Sequence, residues 1–110
     1  MAAERFVTET NPMSGLVAVL EEDDGAAYLY LKLGAGEIVG HVFAYNGSSD
    51  GSLTFRWSGD GRSVALLDRD QPLAFILHDE AVGYGRNISR QCPVGSPWEE
   101  TKFESVFRRI

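Results

Sequence analysis

The chain is short of several things, and each shortage excludes something. It has one cysteine, Cys92, so no internal disulfide can form and no framework of the kind that holds small secreted domains together is implied. Ten Lys and Arg stand against sixteen Asp and Glu, a formal net charge of −6. Nucleic acid binding draws on cationic surface to displace phosphate counterions, so no nucleic-acid partner is expected. Anionic membranes are disfavoured on the same ground. No apolar run approaches the roughly 18 residues of a spanning helix. The opening MAAERFVTET has no cationic start followed by an apolar core, so it does not read as a secretory signal. The expected location is cytoplasmic, which makes the sequons at Asn46 and Asn87 accidental.

What is present is a regular beat of short apolar runs. The chain has 110 residues, 44% hydrophobic and 24% charged, the composition of an ordinary globular domain and the length of one. LVAVLE (16–21), AAYLYLKL (26–33), IVGHVFAY (38–45), SLTFRWS (52–58), RSVALLDR (62–69) and LAFILH (73–78) are each strand length and rich in β-formers. Asp24-Gly25, Asn46-Gly47 and Asp60-Gly61 suit tight hairpins, because these residues tolerate positive φ. Short connections make neighbouring strands antiparallel. A weaker alternating stretch at 5–8 is compatible with one more strand.

The C-terminal SPWEETKFESVFRRI reads as a helix over about 97–109. Ser96 suits the cap, Pro97 the first turn, and Glu99 a capping box. Phe103, Val106, Phe107 and Ile110 fall on one helical face. Glu99 and Glu100 sit at the positive end of the dipole, Arg108 and Arg109 at the negative end. The expected fold is therefore a single α+β domain over 1–110, mainly β. It is a twisted antiparallel meander of about six strands with a core at 16–95 and a C-terminal amphipathic helix packed on it.

FRWSGDGRSVALL (55–67) imitates a propeller blade. A propeller needs at least about four blades of roughly 40 residues each, more than this chain supplies, so the segment is read as a hairpin. Taken with LEEDDGAAYLYL (20–31), PLAFILHD (72–79) and GYGRNISRQCP (83–93), it resembles a small bacterial single-domain family of unknown function. The shared pattern is E-D-D-G, then Y-x-Y, then W-S-x-D-G, then G-Y-x-R. Glu22, Asp23, Asp24, Gly25, Tyr28 and Tyr30 match the first half. Trp57, Ser58, Asp60, Gly61, Gly83, Tyr84 and Arg86 match the second. Leu20, Leu29 and Leu31 depart from the pattern at core-like positions. The resemblance implies the fold and a bacterial source, and no activity.

Catalysis finds little to build on. Cys92 with His41 or His78 is close to the minimum for a thiol–imidazole pair, and His78 and Asp79, adjacent in a strand, would point to opposite faces. The run at 46–57 imitates a calcium loop but carries Trp57 where a bidentate Glu is needed. Gly34–Gly36 precedes a strand rather than a helix N-terminus, so it is not a phosphate loop. No metal and no cofactor is expected. The acidic run Glu21–Asp24 is a solvated hairpin tip or a contact for a basic partner.

The most informative feature is apolarity on two faces. Leu29, Leu31 and Leu33 face one way and Tyr28, Tyr30 and Lys32 the other, while Leu53, Phe55 and Trp57 share a face. The runs at 62–69 and 73–78 are apolar on both. An open antiparallel sheet usually wets one face, so the sheet curls on itself, pairs with a second copy, or meets another protein. Three functions follow. The first is a non-catalytic binding module acting through Glu22, Asp23, Asp24, Tyr28, Tyr30 and Trp57 on a basic protein. The second is a small-molecule or enzyme site with Arg86 as anion anchor. The third is a structural homodimer subunit.

Overall fold

The computed structural model describes residues 5–34, 36–47 and 52–107. The alternating runs form β1 (Arg5–Thr10), β2 (Val17–Asp23), β3 (Ala26–Lys32), β4 (Ile38–Asn46), β5 (Leu53–Trp57), β6 (Val64–Asp68), β7 (Gln71–Leu77), β8 (Val82–Gly85) and β9 (Ser96–Pro97), followed by the helix α1 (Glu100–Phe107). The fold is mostly β with one C-terminal helix. The expected single meander of six strands is corrected in two ways. The stretch at 5–8 is a full strand, and β8 and β9 are added, giving nine strands among the described residues. The strands also divide into two sheets, one of four in the order β1-β2-β3-β4 and one of five in the order β5-β6-β7-β8-β9. All neighbours are antiparallel except β8 and β9, which run parallel.

Local chemistry sets the hairpins. Asp24 (φ 53°) and Gly25 (φ 81°) form the two-residue turn between β2 and β3, with both residues left-handed as the twist of the flanking strands prefers. The turn between β6 and β7 falls at Arg69 (φ 50°) and Asp70 (φ 70°), so it takes in the last residue of the run at 62–69. Pro72 thus lies inside β7, opposite Leu67, where the register with β6 shifts. A bulge is how a strand interior admits a residue with no N–H.

Stacking the two sheets answers most of the double-sided apolarity. The facing sides bury Leu20, Leu29, Leu31 and Val42 of the first sheet against Val64, Leu66 and Ile76 of the second. The sheets close tightest where β4 crosses β8. A Cβ on Gly83 would lie 2.6 Å from Val42 Cβ and 2.8 Å from the His41 carbonyl oxygen, and one on Gly95 2.7 Å from Val42 Cγ2. The Phe43 amide donates to the Val94 carbonyl at 2.9 Å, and Asn87 Nδ2 donates to the Ala44 carbonyl at 2.8 Å.

The outer face of the five-stranded sheet carries Ala65, Leu67, Phe75, Leu77 and Tyr84 beneath Phe103 and Phe107 of α1. Phe75 is the hub, 4.9 Å from the Tyr84 ring and 5.0 Å from Trp98. Strands β6 and β7 are therefore a middle layer, which is why their sequences are apolar throughout. Phe103, Val106 and Phe107 do share the packed face, whereas Arg108, Arg109 and Ile110 lie outside the described residues. The helix start is corrected. Ser96 and Pro97 pair with Tyr84 and Gly85 of β8, and the helix begins at Glu100, so no Ser96–Glu99 capping box forms.

Gly83→Ala is expected to lower stability by about 1–3 kcal/mol, the usual cost of forcing volume into a packed interior. Gly59→Ala, where a Cβ meets nothing within 4 Å, should stay within about 0.5 kcal/mol of the parent. Urea unfolding of the two variants side by side checks both.

Candidate functional site

The helix covers one outer face of the sandwich. No described helix or strand packs over the other, the outer face of β1–β4. Strand register builds that face row by row. Phe6, Glu21, Tyr28 and Phe43 align in one row, then Thr8, Val19, Tyr30 and His41, then Thr10, Val17, Lys32 and Ile38. The aromatic members are ordered by ring contacts. Tyr30 stacks on His41 at 5.7 Å, and Tyr28 meets Phe43 edge-on at 5.7 Å. Phe6 and Ile38, at opposite corners, are 63% and 51% exposed.

Glu21 sets the polarity of this face. The Tyr30 hydroxyl donates to Glu21 Oε1 at 2.9 Å. Partial burial, then the hydrogen bond and charge of Glu21, push the Tyr30 phenol from 10.0 to about 12. The hairpin beyond carries Asp23 and Asp24, both exposed. This corner therefore offers aromatic rings beside three carboxylates and is suited to a cationic group over an apolar base.

The expected site residues separate in the structure. Tyr28 and Tyr30 lie on the open face, with Asp23 and Asp24 at its rim. Glu22 does not join them. It points between the sheets, 6% exposed, and accepts a hydrogen bond from the Tyr45 hydroxyl at 2.5 Å. Burial and that bond raise the Tyr45 phenol well above its ordinary value. Trp57 sits on the inward side of β5 and donates to Glu9 Oε2 at 2.7 Å, away from the tyrosines. Arg86 is engaged within the fold. Its Nε donates to the Pro72 carbonyl at 2.6 Å, its guanidinium lies 3.9 Å over the Trp98 ring, and Nη2 is 3.6 Å from Glu100 Oε1. An anion would have to displace these partners.

The nucleophile set is likewise dispersed. His41 stacks on Tyr30, His78 Nδ1 lies 3.0 Å from Arg62 Nη2, and half-buried Cys92 turns on Ser89. His78 and Asp79 do approach, at 3.7 Å, because they lie in the turn after β7, where strand alternation no longer separates neighbours. Gly34 and Gly36 belong to the turn between β3 and β4, with Ala35 outside the described residues. Ser48, Asp50 and Gly51 of the calcium-like run are also outside them. Among the described residues no group of three or more His, Cys, Asp or Glu is placed to hold a metal, and no helix is long and apolar enough to cross a membrane.

Sequence reasoning passed over Glu21, His41 and Phe43 as members of the face. The signal was the shared parity of Glu21 with Val19, and of His41 with Phe43. It also passed over Asn11 and Ser14. The Asn11 side-chain oxygen accepts from the Met13 and Ser14 amides at 2.9 and 3.1 Å, and the Ser14 hydroxyl donates to the Gly61 carbonyl at 2.6 Å. The W-S-x-D-G hairpin is itself closed by the Ser58 hydroxyl donating to Asp60 at 2.6 Å. The motif thus pins the turn between β1 and β2 of the first sheet to the second. Comparison with protein-family models, with curated proteins and with solved structures finds no match.

The Tyr30 phenol gives a pH test. Below 10.0 it is protonated in both the folded and the unfolded chain. Above that the unfolded chain loses its proton first, so the stability contributed here is full below 10.0 and lost as the pH rises toward about 12. Phenolate absorbance during alkaline titration should show one tyrosine ionising near 12, and Glu21→Gln should move it down.

Proposed function

We propose that this chain is a non-catalytic binding module whose open sheet face, Tyr28, Tyr30 and His41 with Glu21, Asp23 and Asp24 at one corner, receives a basic protein. The observation that carries this reading is the asymmetry of the sandwich. Its helix covers one outer face, and no described helix or strand covers the other, where His41 is exposed, Tyr28 and Tyr30 are half-buried and Phe43 is buried. Aromatic side chains supply contact area at low entropic cost, and neighbouring carboxylates draw a cationic partner. The net charge of −6 favours encounter with such a partner over long range. Of the motif residues, Ser58, Asp60 and Arg86 are engaged within the fold, while Asp23 and Asp24 at the hairpin tip are exposed.

An arginine-rich peptide carrying one tryptophan is a direct probe. Its backbone amide shifts should map to β2, β3 and β4, and added salt should weaken binding several-fold. Tyr30→Ala together with Glu21→Gln should cost about tenfold in affinity, or 1.4 kcal/mol, with the fold intact. Shifts confined to another surface would overturn the reading. So would light scattering that finds a salt-resistant dimer of the 12.1 kDa chain dispersed by Tyr30→Ala, because the face would then belong to a second copy.

A further inference from the structure

The two long flanks of the sandwich are finished differently. On the β4 side, the edges are protected. The loop after β8 hydrogen-bonds to β4 through Val94 and Asn87, and β9 is two residues long and ends in Pro97. On the other side, β1 and β5 each pair with one neighbour among the described residues. Their charged residues are Arg5, Glu9 and Arg56, neither contains proline or lysine, and neither pairing has a register shift. Such edges are open templates for another strand, which proteins ordinarily blunt with those devices.

Between these two edges the sheets part, leaving a cavity of about 300 Å³. Its floor is Leu20 and Leu66, and its sides are Val7, Leu53 and Phe55. Thr8 and Thr54 also line it, although their side chains belong to the outer faces, since Thr8 pairs with Val19 and Thr54 with Leu67. They therefore meet the cavity at the strand edges, where main-chain groups lie. At one end Trp57 and Glu9 bridge the two strands at 2.7 Å. That bond uses Glu9 Oε2, and Glu9 has no ion pair among the described residues. Near the other end Asp68, the cross-strand partner of Leu53, keeps Oδ1 buried without a hydrogen-bond partner.

We infer that the cleft between β1 and β5 is a second binding site, one that takes an extended peptide segment of a partner protein with alternating apolar side chains and a Lys or Arg placed at Glu9. An added strand supplies main-chain hydrogen bonds to the free edges, and every second side chain enters the apolar cavity. Glu9, at one end of the cleft, complements a cationic residue on that strand. A small apolar molecule would fill the cavity and leave both edges unpaired.

The experiment uses the full chain and a blocked peptide of the length of β1 that alternates Thr with Val, Phe and Leu and ends in Lys. Amide hydrogen exchange should slow in β1 and β5 when the peptide is added. Val7→Phe, which fills the cavity, should lower the peptide's affinity at least tenfold. Glu9→Gln should lower it for the Lys-ended peptide and not for one ending in Gln. Tyr30→Ala, on the open sheet face, should leave it unchanged, so failure here and failure of the basic-partner reading are separable. Protection confined to β3 and β4, or none, would overturn the inference. So would an indifferent Val7→Phe that folds normally. A dimer formed through these edges that excludes the peptide, or uptake of a small aromatic dye with no slowing of exchange in β1 and β5, would overturn it as well.

Discussion

Val42 is the point on which the two sheets close. Its side chain is fully buried and occupies the space that a Cβ would need at Gly83 and Gly95, and its Cγ2 lies 3.1 Å from where one would stand on Gly85. Three glycines therefore let backbone approach one valine, and β4 rests directly on β8. Interiors are packed densely enough that one methyl group is felt there. With that flank closed and tied by Val94 and Asn87, the twist of the sheets leaves the β1–β5 flank as the place where they part. The tight contact and the open cleft are two sides of one geometry.

The same layering decides which residues remain available for work. Phe75 and Tyr84 lie beneath the helix, and Lys102 helps hold that contact through Glu80, 2.6 Å from its Nζ, with the Tyr84 hydroxyl on the other carboxylate oxygen at 2.5 Å. Arg86 is held against Trp98, and Glu22 against Tyr45. The residues whose chemistry seemed most suggestive in the linear chain are thus largely occupied by folding. The two surfaces proposed for contact are the outer face of β2–β4 and the edges of β1 and β5. Neither brings a nucleophile, a base and an orienting group together, which is the minimum a catalytic reading needs.

Much of the local structure was legible in the chain. Alternation and Asp-Gly chemistry located the β2–β3 hairpin, and the spacing of Phe103, Val106 and Phe107 identified the packed face of the helix. The Tyr28–Tyr30 half of the candidate face followed from strand parity alone. The partner strands did not. His41 reaches Tyr30, and Phe43 reaches Tyr28, only through a register that two irregularities between β3 and β4 displace. Period-2 reasoning along a single strand carries no information on such shifts. Ser96 and Pro97 misled for a related reason. Their capping chemistry is local, but the open edge of β8 offered them ladder pairing.

By itself the sequence determined the strand-rich composition, the turns that require left-handed residues, the apolar side of the helix, and a net charge of −6. Those are properties of neighbours along the chain, carried by backbone sterics and side-chain periodicity. Only the tertiary structure decided that one meander becomes two stacked sheets and that the second face of β6 and β7 is covered by the helix while no described helix or strand covers that of β2–β4. It alone sent Trp57 and Glu22 inward. These outcomes depend on which surfaces meet, and burial is a property of the pair of surfaces, set by packing between residues far apart in sequence.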